Sequence, residues 1–146
     1  MSIQKDGDSG FSKTEREAMK NRAMELAAEQ RGNKKKEDDE REVSKLIEAM
    51  DGSDKTLAQA IHALVKTEAP ELLPKSWYGM PAYAKDGKVL CFFQAARKFE
   101  SRYATLGFSD VAKIDNGTMW PTAFALLQFG PEEKKLVSAL LKKAVL

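Results

Sequence analysis

The side chains best suited to hold a metal ion lie in the acidic run from Glu37 to Glu42. Asp38 and Glu42 are one helical turn apart and share a helix face, with Asp39 beside them. Carboxylates are hard donors that form weak, exchangeable iron sites. The positive end of a helix dipole explains the same carboxylates, with the lysines at 34–36 solvated in a loop before them. The two hypotheses are a weak iron site at Asp38, Asp39 and Glu42 and a solvated helix start.

Aromatic side chains form the second candidate site. Eleven of the twelve aromatic residues lie between Trp77 and Phe129. Tyrosine and tryptophan combine a large apolar body with one hydrogen-bonding group, which suits a half-open pocket for a small ligand or a peptide. The alternative is that these side chains fill the core and its rim. The candidate ligand-binding residues are Trp77, Tyr78, Met80, Tyr83, Tyr103 and Trp120.

No arrangement typical of an enzyme is visible in the sequence. It has no phosphate-binding loop, no dinucleotide fingerprint and no nucleophile next to a base. His62, the one histidine, follows an apolar residue of a predicted helix, where a structural or solvent-facing role is favoured. Cys91, the one cysteine, lies in the most apolar run and is predicted to be a buried thiol. We therefore expect a protein that is not an enzyme.

Composition and charge limit the partners. The 146 residues include 24 basic and 22 acidic ones, a near balance that argues against a dedicated binder of nucleic acid or of membrane surfaces. No stretch reaches the roughly eighteen apolar residues of a membrane span, and the N-terminus has no apolar leader. The expectation is a cytoplasmic protein with one compact domain.

The N-terminal part is predicted to be peripheral. Residues 1–36 are interpreted as a charged, partly disordered extension, and residues 37–146 as the folded domain. Ser12 and Glu15 have the spacing of a capping box, which predicts the start of a helix that continues to about Gln30. The apolar stripe of this helix is thin, so we expect the helix to be loosely docked.

Three further helices follow from apolar periodicity. The second and third meet at Asp51-Gly52, and the side chain of Ser53 or Asp54 is expected to cap the third. The last helix starts at Pro131 and is expected to close the sheet. The residues predicted to face the core are Val43, Leu46, Ile47 and Met50 in the second helix, Leu57, Ile61, Leu64 and Val65 in the third, and Leu136, Val137, Leu140, Leu141 and Ala144 in the last, where Leu136, Leu140 and Leu141 are expected to pack on the sheet.

Between these helices the sequence predicts a sheet. Its strands are expected at residues 77–83, 89–93, 102–108 and 119–127. The pair Asp86-Gly87 predicts a type I′ hairpin turn, and the apolar run that follows it predicts a central strand. The predicted fold class is α+β, with an antiparallel sheet of about four strands packed by N-terminal helices and one C-terminal helix.

Several motifs resemble those of the YdhG-like domain-of-unknown-function family. The resemblance covers roughly residues 40–146 and implies an α+β fold. Because some relatives are frataxin-like iron chaperones, it also implies a carrier of weakly bound iron that serves iron-sulfur or haem assembly proteins. The alternative from the residues alone is a module that binds a protein, a peptide or a small ligand through the aromatic sheet region. The motifs are WYGMPAY at 77–83, GKVL at 87–90, KF at 98–99, RYATLGFS at 102–109 and MWPTA at 119–123.

Overall fold

The computed structural model describes residues 12–29 and 35–146. Within these ranges the fold is α+β, as predicted, with one strand more than the four expected. The disordered tail predicted for residues 1–10 and the predicted end of the first helix, at about Gln30, lie outside the described residues. In chain order the elements are α1 (Lys13–Glu29), α2 (Lys35–Glu48), α3 (Gly52–Glu68), β1 (Leu73–Trp77), β2 (Met80–Lys85), β3 (Lys88–Gln94), β4 (Ala104–Phe108), β5 (Ala123–Leu126) and α4 (Pro131–Ala144).

The five strands form one antiparallel sheet in the order of the chain, so β3 is central as predicted. The stretch from 77 to 83 is not a single strand: Trp77 ends β1 and pairs with Met80, the first residue of β2. Tyr78 and Gly79 between them have φ values of 53° and 76° and form a two-residue turn of the I′ type. The prediction missed this turn because tyrosine rarely occupies its first position, which favours asparagine, aspartate or glycine.

Helices cover one face of the sheet, where the main core lies. The sheet contributes Tyr83, Phe93 and Leu106, and the predicted core residues of α3 are all buried. The prediction for α4 was partly wrong. Val137, Leu141 and Ala144 of the predicted stripe are buried, whereas Leu136 is 56% exposed and Leu140 is only partly buried.

His62 has a structural position beneath the sheet. Its Nδ1 lies 2.9 Å from the hydroxyl of Tyr83, and its Nε2 lies 3.3 Å from a carboxylate oxygen of Glu40, which also pairs with Lys66. Burial lowers the pKa of His62, although the Glu40 carboxylate opposes this shift. Burial also raises the pKa of Tyr83. The His62 and Tyr83 side chains are therefore both neutral at pH 7. The hydrogen bonds from Glu40 through His62 to Tyr83 connect α2, α3 and β2.

The start of α3 differs from the prediction. The N-cap position belongs to Asp51, and its side chain makes no capping hydrogen bond. Asp54 turns inward and accepts hydrogen bonds from the backbone N–H groups of Ala96 at 3.0 Å and Arg97 at 2.9 Å. The carboxylate therefore fixes the segment after β3 to the start of α3. None of the helices in the described ranges is long and apolar enough to cross a membrane.

Candidate functional site

The turn between β1 and β2 binds a carboxylate. Its two residues have successive positive φ values, so their backbone N–H groups point to the same side and form a small concave donor site, an arrangement that favours anions. The carboxylate comes from Glu25 on α1. It accepts hydrogen bonds from Tyr78 N at 3.0 Å and Gly79 N at 3.4 Å, and a third from the hydroxyl of Ser76. All three donors thus serve one side chain that is at least 51 residues distant in sequence.

Among the residues of α1 at 13–27, Glu25 is the buried one, and most of the others are exposed. Its exposed fraction is 8%, whereas Met19, Met24 and Leu26 of the same helix are all exposed. Arg22 lies one turn before Glu25, with a nitrogen 3.8 Å from the carboxylate. Helix α1 therefore buries a charge and exposes its large apolar side chains, the reverse of the usual amphipathic pattern. A polar contact, not an apolar face, positions this helix on the sheet.

A lysine and two aromatic rings border the turn. Lys98 donates a hydrogen bond to the carbonyl of Gly79 at 2.8 Å. Burial lowers the pKa of this lysine, although Glu17 and Glu25 oppose the shift. The ring of Tyr78 packs against Trp77, with centroids 5.1 Å apart, and the Arg22 guanidinium lies 5.6 Å from the Tyr78 centroid. We call Ser76, Trp77, Tyr78, Gly79 and Lys98 the turn site.

A cleft continues from the turn site toward the start of α3. Its volume is about 370 Å³, within the range of small-ligand pockets. Lys98 is common to the turn site and the cleft, while Glu17 of α1 forms part of the wall. Leu46 of α2 and Met50, which lies between α2 and α3, supply apolar surface, and Asp54 of α3 also lines the cleft. Displacement of α1 would therefore open the cleft and the turn site together.

The six aromatic-region candidates do not form one site. Trp77, Tyr78 and Met80 meet at the turn, as β1, the turn and β2 require. Tyr83 is buried in the core, so it cannot contact a ligand from solvent. Tyr103 is exposed before β4, beside the guanidinium of Arg102, and Trp120 packs against the core from the loop before β5.

Sequence reasoning did not identify Glu25 or Ser76 as site residues, and it did not place Lys98 in a carboxylate site. Glu25 lies among many solvated charges of α1, and no local pattern marks which carboxylate of a polar helix is buried. The one available signal was the weak apolar stripe of the helix, which leaves a polar contact as the means of docking.

The predicted iron site has no geometric support. Asp38 forms an ion pair with Arg41, and Glu42 is exposed. Helix α2 already begins at Lys35, so Lys35 and Lys36 occupy its first turn and not a preceding loop as expected. Across residues 12–29 and 35–146, no three histidine, cysteine or acidic side chains are grouped as a metal ion requires. Iron binding at Asp38, Asp39 and Glu42 stays a prediction.

Replacing Gly79 with alanine is expected to loosen α1. A Cβ at this position would lie 2.6 Å from Asn21 Nδ2 and 2.8 Å from Lys98 Nζ, so both side chains must move. We expect amide hydrogen exchange in residues 13–29 to become about tenfold faster, since a loss of about 1.4 kcal/mol changes an equilibrium by that factor. Exchange measured by mass spectrometry after proteolysis reports this region directly.

Gly87→Ala is the matched control for this substitution. Gly87 has a similar φ of 80° in the other two-residue turn, and an added Cβ would meet nothing within 4 Å. Both variants carry the same backbone strain, of about 1–2 kcal/mol. Faster α1 exchange is expected in Gly79→Ala alone, and equal exchange in the two variants would show that Asn21 and Lys98 accommodate the added Cβ without loosening α1.

No protein-family model, curated protein or solved structure matches the chain. The resemblance to the YdhG-like family therefore stays a prediction.

Proposed function

We propose that this chain is a non-enzymatic, cytoplasmic binding domain whose turn site accepts a carboxylate side chain from an acidic segment of a partner protein. The observation that carries the proposal is the seating of Glu25, a buried carboxylate that accepts two backbone N–H bonds and one hydroxyl bond. Hydrogen bonds to a charged acceptor are about twice as strong as neutral ones. In this proposal Glu25 of α1 occupies the turn site in the free protein, and the acidic segment of the partner displaces it.

The donor set of the turn site favours a carboxylate over an amide. Tyr78 N and Gly79 N are obligate donors, and the ammonium group of Lys98 lies beside them. A carboxylate supplies acceptors to all of its neighbours, whereas the NH₂ group of an amide would face a donor. Leu46, Ala49 and Met50 in the adjacent cleft provide apolar surface for the residues that flank the carboxylate in a partner segment.

The test uses α1 itself as the probe. The full chain carrying Glu25→Gln is titrated with two synthetic peptides of residues 13–29, one with Glu and one with Gln at position 25. Because a charged hydrogen bond is worth about 1.5–3 kcal/mol, the Glu peptide is expected to bind at least about tenfold more tightly. Calorimetry gives the affinities, and amide shifts of Tyr78 and Gly79 locate the binding.

Met24→Gln provides the control for the chain itself. Met24 is exposed and lies next to Glu25 in α1. The Met24→Gln variant therefore introduces the same residue type into the same helix, while the Glu25 carboxylate stays in the turn site. We expect the Met24→Gln chain to bind the Glu peptide more weakly than the Glu25→Gln chain does. Equal binding of the two peptides, or no binding of either, would contradict the proposed function.

A further inference from the structure

The side chains with which α1 meets the rest of the protein form one stripe along the helix. Within residues 13–27, five side chains are at least partly buried, at the spacing i, i+4, i+7, i+8 and i+11, and the others are exposed. This spacing is that of one face of an α-helix. Four of the five side chains are polar, so polar contacts dominate the docked face. The five residues are Thr14, Ala18, Asn21, Arg22 and Glu25.

Two residues of this stripe, Arg22 and Glu25, contact the same residue of the turn site. The Glu25 carboxylate accepts a hydrogen bond from the backbone N–H of Tyr78 at 3.0 Å, and the Arg22 guanidinium lies 5.6 Å from the centroid of the Tyr78 ring. Trp77 packs against this ring at an interplanar angle of 78°. A cation over the face of an aromatic ring is attracted by its electrons. Tyr78 therefore binds a positive and a negative side chain that are three positions apart.

A helix presents both of these groups to one residue, and an extended segment does not. Residues three apart on a helix lie about 5–6 Å from each other on the same face. In an extended segment they lie about 10 Å apart and point to opposite sides. Gly79 permits the close approach of the helix, because a Cβ there would lie 2.6 Å from Asn21 Nδ2. The turn site is therefore shaped for a helix as well as for a carboxylate.

We infer that the partner segment is an α-helix in which an arginine precedes the bound carboxylate by three residues, in the pattern Arg-x-x-Glu. This inference rests on the proposed function and specifies the partner. The arginine of the partner helix takes the place of Arg22 on the Tyr78 ring, and its glutamate takes the place of Glu25 on the N–H groups of the turn. An acidic segment in an extended conformation supplies the carboxylate alone and lacks the second contact.

Two peptides of equal composition test the helical register. Both contain residues 13–29, one unaltered and one with Met24→Glu and Glu25→Met, and both are titrated by calorimetry into the full chain carrying Glu25→Gln. The exchange moves the carboxylate by about 100° around the helix and leaves the net charge and the length unchanged. We expect the exchanged peptide to bind at least about tenfold more weakly, as the loss of a charged hydrogen-bond acceptor does.

Proline at an exposed position of the peptide tests the helix itself. Met24 is exposed, so Met24→Pro leaves the five side chains of the stripe unchanged but breaks the helix between Arg22 and Glu25. We expect the Met24→Pro peptide to bind at least about tenfold more weakly than the unaltered peptide. The Met24→Ala peptide is the matched control and is expected to bind within about twofold of the unaltered one. Cα chemical shifts of the bound, carbon-13-labelled peptide report its helix directly.

The arginine is tested by paired substitutions in the peptide and in the chain. An Arg22→Gln peptide is expected to bind about two- to fivefold more weakly, the range for a cation over an exposed ring. In a chain that also carries Tyr78→Asn this difference is expected to vanish. Asparagine suits the first position of the turn and retains its N–H donor, but it has no ring.

A result that overturns the helical partner differs from one that overturns the proposed function. The unaltered peptide could bind more tightly than its Glu25→Gln form but no more tightly than the exchanged and Met24→Pro peptides. The helical partner would then be wrong, while the proposed function stands. Equal binding of the Met24→Pro and Met24→Ala peptides would also overturn the helix, and an Arg22→Gln peptide that binds as the unaltered one does would overturn the Arg-x-x-Glu pattern. If none of the peptides binds, the proposed function and the helical partner are both wrong.

Discussion

Replacing Leu141 with alanine is expected to lower the free energy of unfolding by about 2–5 kcal/mol, a large part of the stability of a small domain. Leu141 is 1% exposed and packs in the main core with Val137 and Ala144 of the same helix. The smaller side chain loses its burial from water and leaves a cavity that the sheet and α3 only partly fill. Urea unfolding followed by circular dichroism measures the change.

Leu136→Ala is the matched control, with the same chemical change on the same helix. Leu136 is 56% exposed, so we expect a change within about 0.5 kcal/mol, as for most surface substitutions. The comparison also cancels most of the difference in helix propensity between leucine and alanine. If the two variants unfold at the same urea concentration, α4 does not pack through Leu141.

Local signals in the sequence were reliable where short-range physics decides the structure. The capping box at Ser12 and Glu15 is present, with reciprocal bonds of 2.9 and 3.0 Å. The Asp86-Gly87 turn has the predicted positive φ values at both residues. Cys91 is buried as expected, and burial raises its pKa to about 12. Each of these features depends on residues close together in the chain or on a strong apolar run.

The candidate site could not be predicted in the same way. The two-residue turn at Tyr78 is imposed by the pairing of β1 with β2, which allows a tyrosine where local preference would place asparagine or glycine. The carboxylate in the site comes from a helix far away in the chain, and its burial reverses the apolar pattern of that helix. Contacts between distant polar residues leave no periodic signal in a single sequence.

Two buried carboxylates, Glu25 and Asp54, have the same role at the two ends of the candidate site. Each accepts hydrogen bonds from two successive backbone N–H groups of another segment. Glu25 holds α1 to the turn, and Asp54 holds the segment that leads from β3 to Lys98. The position of the Lys98 ammonium group beside Gly79 therefore depends on Asp54, although the two side chains belong to different elements.

Replacing Asp54 with alanine is accordingly expected to cost about 2–4 kcal/mol of unfolding free energy. Asp54 is 5% exposed, and its loss leaves the backbone N–H groups of Ala96 and Arg97 without their acceptor. Each hydrogen bond to a charged group contributes about 1.5–3 kcal/mol to stability. Because both bonds are made to the same carboxylate, their contributions do not simply add. The control is Asp51→Ala, three residues earlier, whose side chain is 79% exposed and makes only a 3.9 Å ion pair with Arg97. Such an exposed pair is worth at most about 1 kcal/mol. Urea unfolding measures the change in the free energy of unfolding in both variants. An equal decrease in the two would mean that Asp54 acts merely as a surface charge near the start of α3.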